Sequence, residues 1–126
     1  MTFGSWNIVF YECLPRQSQC RGNVPVEKFI CKFPKTLQAY IAKKLDMYAT
    51  MAPDLKEPHV KQVRGKIWEF RIEPKGIPLR ILYFIPQKGT IVLLHGFKKT
   101  SRMTPNREIK AAESRMLDYR KRYLQE

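Results

Sequence analysis

Four cations sit where a β-rich stretch has least structural use for them. Arg71 interrupts Ile67-Trp68-Glu69-Phe70-Arg71-Ile72-Glu73, Arg80 lies inside Leu79-Arg80-Ile81-Leu82-Tyr83-Phe84, and Lys98 and Lys99 close the run that begins at Thr90. An arginine placed mid-strand among large apolar residues costs desolvation unless its head reaches water, an acid or an anion. Guanidinium clamps a phosphate through paired hydrogen bonds, and a lysine crowded by other cations can act in proton transfer. These four residues are the candidate catalytic set. RNA is the substrate such a set suits. It carries its own nucleophile, the 2′-hydroxyl, so the protein need only align it, assist proton transfer and stabilise charge on the phosphorane and the leaving oxygen.

Each candidate also has a plainer reading. Arg71, between Glu69 and Glu73, reads equally as part of a surface charge pair across strands. Lys98 and Lys99 read equally as a solvated strand end, whereas Arg80 is harder to explain without a function. His95 is a possible base. It falls on the same side of its strand as Leu93 and Phe97, however, which reads first as a satisfied core histidine. Trp68, Tyr119 and Tyr123 read as packing residues. The chain contains no Gly-x-Gly-x-x-Gly, Walker loop, His-Glu-x-x-His or Gly-x-Ser-x-Gly. Its carboxylates are scattered, which argues against a two-metal nuclease, and no cofactor or metal is called for.

The elements that must position these residues are legible around them. Three runs rich in Ile, Val, Phe, Trp and Tyr, separated by short Gly-containing breaks, predict an antiparallel meander over residues 66–100. Within it Trp68, Phe70 and Ile72 share one face, so Arg71 points to the other with Glu69 and Glu73; Arg80 shares its face with Leu82 and Phe84. Residues 6–11 form a β-prone run that starts the sheet, and residues 14–23 read as a loop. Val26, Phe29, Ile30 and Phe33 lie at helical spacing after Pro25, and Pro34 ends that helix. A second helix over residues 35–50 carries Leu37, Tyr40, Ile41, Leu45 and Tyr48 on one stripe. The two form a helical hairpin whose apolar stripes need the sheet. Residues 52–63 read as a connector. Thr104 as N-cap and Pro105 at the first helical position open a last helix to about residue 124, with Ile109, Ala112, Met116, Tyr119 and Tyr123 on its apolar face.

The fold class is therefore α+β: a twisted antiparallel sheet of about four strands, a helical hairpin on one face and a C-terminal helix at the sheet's edge, in one domain over residues 1–126. The 126 residues carry a net charge of +13. Residues 61–126 hold 16 Lys and Arg against 6 Asp and Glu, an asymmetry that implies a polyanionic partner engaged with counterion release. Lys61, Lys66, Arg102 and Arg107 extend the basic surface and are the candidate RNA-binding residues. Cys13, Cys20 and Cys31 are odd in number and show no metal-type spacing, which fits reduced thiols. No apolar run reaches about 18 residues and no leader is evident, so a soluble, cytoplasmic protein is expected.

In order and spacing, residues 26–123 resemble the RelE/ParE toxin superfamily, and within it the HigB-like, phage-derived branch. The likeness rests on Ile67-Trp-Glu-Phe-Arg71, Leu79-Arg-Ile-Leu-Tyr83, and above all Leu93-Leu-His-Gly-Phe-Lys-Lys-Thr100 followed by Thr104-Pro105 and the Glu108-Ile109 helix start. It implies the toxin of a type II toxin–antitoxin pair, which enters the ribosomal A site and cleaves messenger RNA without a metal, and whose antitoxin is a helix-turn-helix protein. Transferred by position, the superfamily's basic residues fall on Arg71, Arg80, Lys98 and Lys99. Two departures stand out: Glu69 occupies a position where several RelE toxins have lysine, and Pro105 one where some have tyrosine. The superfamily also contains ParE-like toxins that poison gyrase. A catalytically idle, phage-type module that docks on nucleic acid or an antitoxin is a third reading.

Overall fold

The structure is a computed structural model that describes residues 5–13, 23–52 and 54–124. Most of the predicted loop at 14–23, with Cys20, lies outside the described residues. The element order is β1 (Asn7–Phe10), α1 (Pro25–Cys31), α2 (Lys35–Met51), β2 (Val60–Arg64), β3 (Ile67–Ile72), a 3-10 turn (Pro74–Gly76), β4 (Leu79–Gln87), β5 (Thr90–Lys98), α3 (Asn106–Tyr119) and a terminal π turn (Arg120–Leu124). The chain is α+β, as its sequence pattern predicts.

The sheet has five strands in the order β1-β5-β4-β3-β2. It is mixed, because β1 pairs with β5 in parallel. The added strand is β2, which falls in the stretch read as a connector. Three of its residues are exposed and it pairs on one side only, so it lacks the apolar density that marks an inner strand. Gly65, at φ +54°, makes the tight turn from β2 into β3.

Side chains alternate between two apolar layers. Phe70, Ile72, Ile81, Tyr83, Ile91 and Leu93 face the helical hairpin, meeting Val26, Ile41, Leu45 and Tyr48. Here Tyr48, Phe70 and Tyr83 stack in sequence, with ring centroids 4.8 and 3.9 Å apart. On the opposite face Ile67, Leu82, Phe84, Val92, Leu94 and Phe97 pack under Ala112, Met116 and Tyr119 of α3. The C-terminal helix thus covers the second face of the sheet instead of lying at its edge. Tyr11 donates to Asp118 at 2.6 Å, fastening the end of α3 to the segment after β1.

Two local departures follow from named contacts. Leu82 pairs with His95 and Tyr83 with Leu93, so Leu94 is an extra residue in β5. This bulge shifts the alternation and puts His95 and Phe97 on the α3 face, away from Leu93. The helix α3 begins at Asn106 with Pro105 at the N-cap and no side-chain cap; the Thr104 hydroxyl instead donates to Glu69 at 2.7 Å.

Gly96 reports on the docking of α1. A Cβ there would lie 2.4 Å from Cδ2 of Phe29, so Gly96→Ala must push the ring and α1 outward. The expected cost is about 1–3 kcal/mol by urea unfolding; unchanged stability would show that Phe29 does not rest on β5.

Candidate functional site

The site lies on the α3 side of the sheet, beyond the end that α3 covers. Arg71 of β3 and Arg80 of β4 are directly opposite each other in the antiparallel ladder. Like charges so placed repel, and two acids offset them. Glu73 accepts from Arg71, with Nε–Oε2 at 3.1 Å and Nη2–Oε1 at 3.2 Å, and its Oε2 lies 3.2 Å from Nη2 of Arg80. Hydrogen bonding from Arg71, against a partial counter-effect of burial and with help from Arg80, holds the Glu73 carboxyl below its ordinary range.

Glu69 is the inner acid, only 3 % exposed. Its Oε2 lies 3.7 Å from Nε of Arg80 and 3.4 Å from Nζ of Lys99, and its Oε1 accepts from Thr104. One buried carboxylate therefore ties β3, β4, the chain after β5 and the approach to α3. Arg80 is 9 % exposed and also donates to the carbonyl of Leu79. Arg71 remains half-exposed, its backbone gripped by the Tyr48 hydroxyl on the carbonyl and by the His59 carbonyl on the N–H.

The structure separates Lys98 from Lys99. Phe97 is buried toward α3, so Lys98, the next residue and exposed, projects to the other side, opposite Leu79 in register. Lys99 turns back: its N–H bonds the Pro78 carbonyl at 2.8 Å, and its ammonium joins Glu69. Arg71, Arg80 and Lys99 are thus brought together, and Lys98 is not.

Two cavities meet at Arg80 and Lys99. One, of about 200 Å³, adds Glu57, Lys61, Glu69 and Arg71; the other, of about 380 Å³, adds Thr100, Ser101 and Arg102. Lys61 and Arg102 therefore belong to the same basic depression. Lys66 does not: it precedes β3, five residues or about 16 Å along the strand from Arg71 at the usual rise. Arg107 stands exposed near the start of α3, 3.6 Å from Glu108.

His95 lies apart from this cluster, bridging β5 to α3. Its Nε2 is 2.6 Å from Glu108 and its Nδ1 is 2.9 Å from Arg115, which also donates to the Leu94 carbonyl. Arg115 can only donate, so Nδ1 accepts and Nε2–H donates to Glu108, a neutral tautomer assigned from these partners. Burial lowers the His95 pKa; Glu108 opposes this and Arg115 adds to it. A histidine whose folded pKa is depressed takes up fewer protons folded than unfolded, so stability is lost as pH falls below about 6.5, the unfolded value. Thermal midpoints measured from pH 7.5 to 5.5 should fall more steeply for the native chain than for His95→Gln. Parallel slopes would remove His95 from this role.

Glu69 and Thr104 are the site residues that the sequence analysis did not single out. Glu69 reads as an outward-facing strand charge and Thr104 as a helix cap; the burial of Glu69 against Arg80 and Lys99, and its hydrogen bond from Thr104, arise only when β3, β4 and the segment after β5 come together. Among the described residues no three His, Cys, Asp or Glu side chains are grouped to hold a metal ion, and no helix is long and apolar enough to cross a membrane.

No curated protein matches the chain. The family described as "Phage derived protein Gp49-like (DUF891)" matches residues 28–117, a span that begins in α1, runs through the entire β2–β5 meander and both cavities, and ends within α3. The chain belongs to the Gp49-like family of phage-derived proteins.

Proposed function

We propose that this chain is the toxin of a type II toxin–antitoxin pair, of the HigB-like kind, and that it inhibits translation as a ribosome-dependent, metal-independent endoribonuclease acting on messenger RNA. The observation that carries this reading is the convergence of Arg71, Arg80 and Lys99 from three consecutive segments onto one basic depression. Three cations beside two acids leave the cluster with a net positive charge suited to a phosphodiester.

In this reaction the 2′-oxygen attacks the adjacent phosphorus and loses its proton. The bond to the 5′-oxygen breaks, and that oxygen takes up a proton, leaving a 2′,3′-cyclic phosphate and a 5′-hydroxyl. Arg71, the accessible guanidinium, grips the phosphate. Arg80 adds donors from beneath, and Lys99 offsets the charge that develops on the phosphorane and supplies a proton to the leaving oxygen. Lys61 and Arg102 continue the contact along the message, while Lys66, Arg107 and the basic surface of α3 meet ribosomal RNA. The partners are the ribosome with its message and a helix-turn-helix antitoxin.

Primer extension on an abundant transcript, taken minutes after induction, tests the reading. Codon-phased 5′ ends inside the reading frame are expected. Intact transcripts together with inhibited supercoiling by purified gyrase would instead support a ParE-like toxin.

A further inference from the structure

Glu73 occupies an unusual position for an acid in a site built to hold an anion. Arg71 and Arg80 face each other across the ladder, an arrangement that raises the energy of the sheet unless something negative lies between them. A carboxylate spans the gap: both Glu73 oxygens engage Arg71, and one of them is shared with Arg80. Two guanidinium groups sharing one planar anion is the geometry they would present to two oxygens of a phosphate.

Glu73 is also placed where it can leave. It sits at the end of β3, next to the Pro74–Gly76 turn, where Lys75 and Gly76 both have positive φ, and it is about one-third exposed, unlike the enclosed Glu69. A third cavity, of about 170 Å³, opens on its other side and is lined by Tyr40, Lys44, His59, Arg71 and Glu73 itself. Side-chain rotation into that space would carry the carboxylate toward Lys44, exchanging one cation for another.

We propose that Glu73 is a resident stand-in for substrate phosphate: its carboxylate fills the anion seat between Arg71 and Arg80, and a phosphodiester enters by displacing it toward the Lys44 cavity. This deepens the proposed ribonuclease reading, on which it rests for the identity of the displacing ligand. The seat is thereby kept closed to weakly held anions, and Arg80, nearly buried in the resting protein, becomes available to the ligand that expels Glu73.

The test is a titration of the whole protein with inorganic phosphate, followed through the Nε–Hε signals of Arg71 and Arg80. In Glu73→Gln the affinity read from these signals should rise about tenfold. The gain should vanish when Glu73→Gln is combined with Arg71→Ala. As a control for net charge alone, Glu113→Gln, which removes the surface partner of Arg64, should leave the affinity at these signals unchanged. Equal affinity in the native chain and Glu73→Gln, a gain that persists without Arg71, or the same gain from Glu113→Gln would each overturn the proposal. A Glu73→Ser variant guards against a fold defect peculiar to glutamine, and should tighten phosphate likewise. Neither ribosome nor RNA is present in this titration, so its result is separable from the fate of the cleavage reading.

Discussion

Arg80→Ala is expected to abolish growth inhibition and to weaken the fold as well. Removing the guanidinium leaves Glu69, 3 % exposed, with Lys99 and Thr104 in place of three partners, and truncating one member of a buried ion pair costs about 3–5 kcal/mol. Loss of a group that stabilises transition-state charge lowers the rate by about 100- to 1,000-fold. The two effects are separated with Arg71→Ala. That side chain is half-exposed and its pair with Glu73 is open to solvent, so stability should change by no more than about 1 kcal/mol. Toxicity should nevertheless collapse if, as proposed, Arg71 is the guanidinium that grips the phosphate. Urea unfolding gives the stability and titrated induction gives the toxicity. A folded Arg71→Ala chain that remains fully toxic would contradict its assigned contact.

The adjacent lysines should behave oppositely. Lys99→Ala takes away one of the Glu69 partners and the cation that shares this acid with Arg80, so activity should fall about 100-fold or more, with a stability cost of about 1–3 kcal/mol for the buried acid left short of a partner. Lys98→Ala, exposed on the other face of the sheet, should stay within about 0.5 kcal/mol of the native stability and keep most of its activity. Growth arrest measured across the two variants at matched expression decides it. Equal losses at both positions would mean that the lysines act as a pooled charge and not through the geometry around Glu69.

The meander was legible in the chain because β3, β4 and β5 are dense in β-branched and aromatic residues and broken by short turns. That alternation also placed Arg80 with Leu82 and Phe84 correctly. It failed at β5, where the bulge at Leu94 moves His95 to the α3 face, since no residue type announces an extra residue in a ladder. The strand β2 is basic and largely exposed, so periodicity could not distinguish it from a connector; a glycine, Gly65, just before the β3 run was the available signal. Parallel pairing of β1 with β5 depends on partners distant in sequence and leaves no local mark. The burial of Glu69 depends on Arg80, Lys99 and Thr104 meeting it from segments distant in sequence, and one acid between two strand residues looks the same in sequence whether that face is covered or open.

The pairing of Lys98 and Lys99 illustrates the limit at the site itself. Two adjacent identical residues cannot be told apart by type or spacing, yet strand alternation followed by a turn sends one to solvent and the other to Glu69. The acids show a related limit. Glu69 and Glu73 signal a surface charge pair in sequence, and in the folded chain they neutralise most of the cluster that would hold an anion.

The most direct measurement incubates the purified protein with ribosomes carrying a defined message, codon in the A site, and maps the ends of the RNA. The proposed chemistry yields a single cut within that codon, with a 2′,3′-cyclic phosphate on one fragment and a 5′-hydroxyl on the other, and little or no cut in the same message off the ribosome. A message that stays intact on the ribosome, from a protein preparation that arrests growth when expressed, would contradict it.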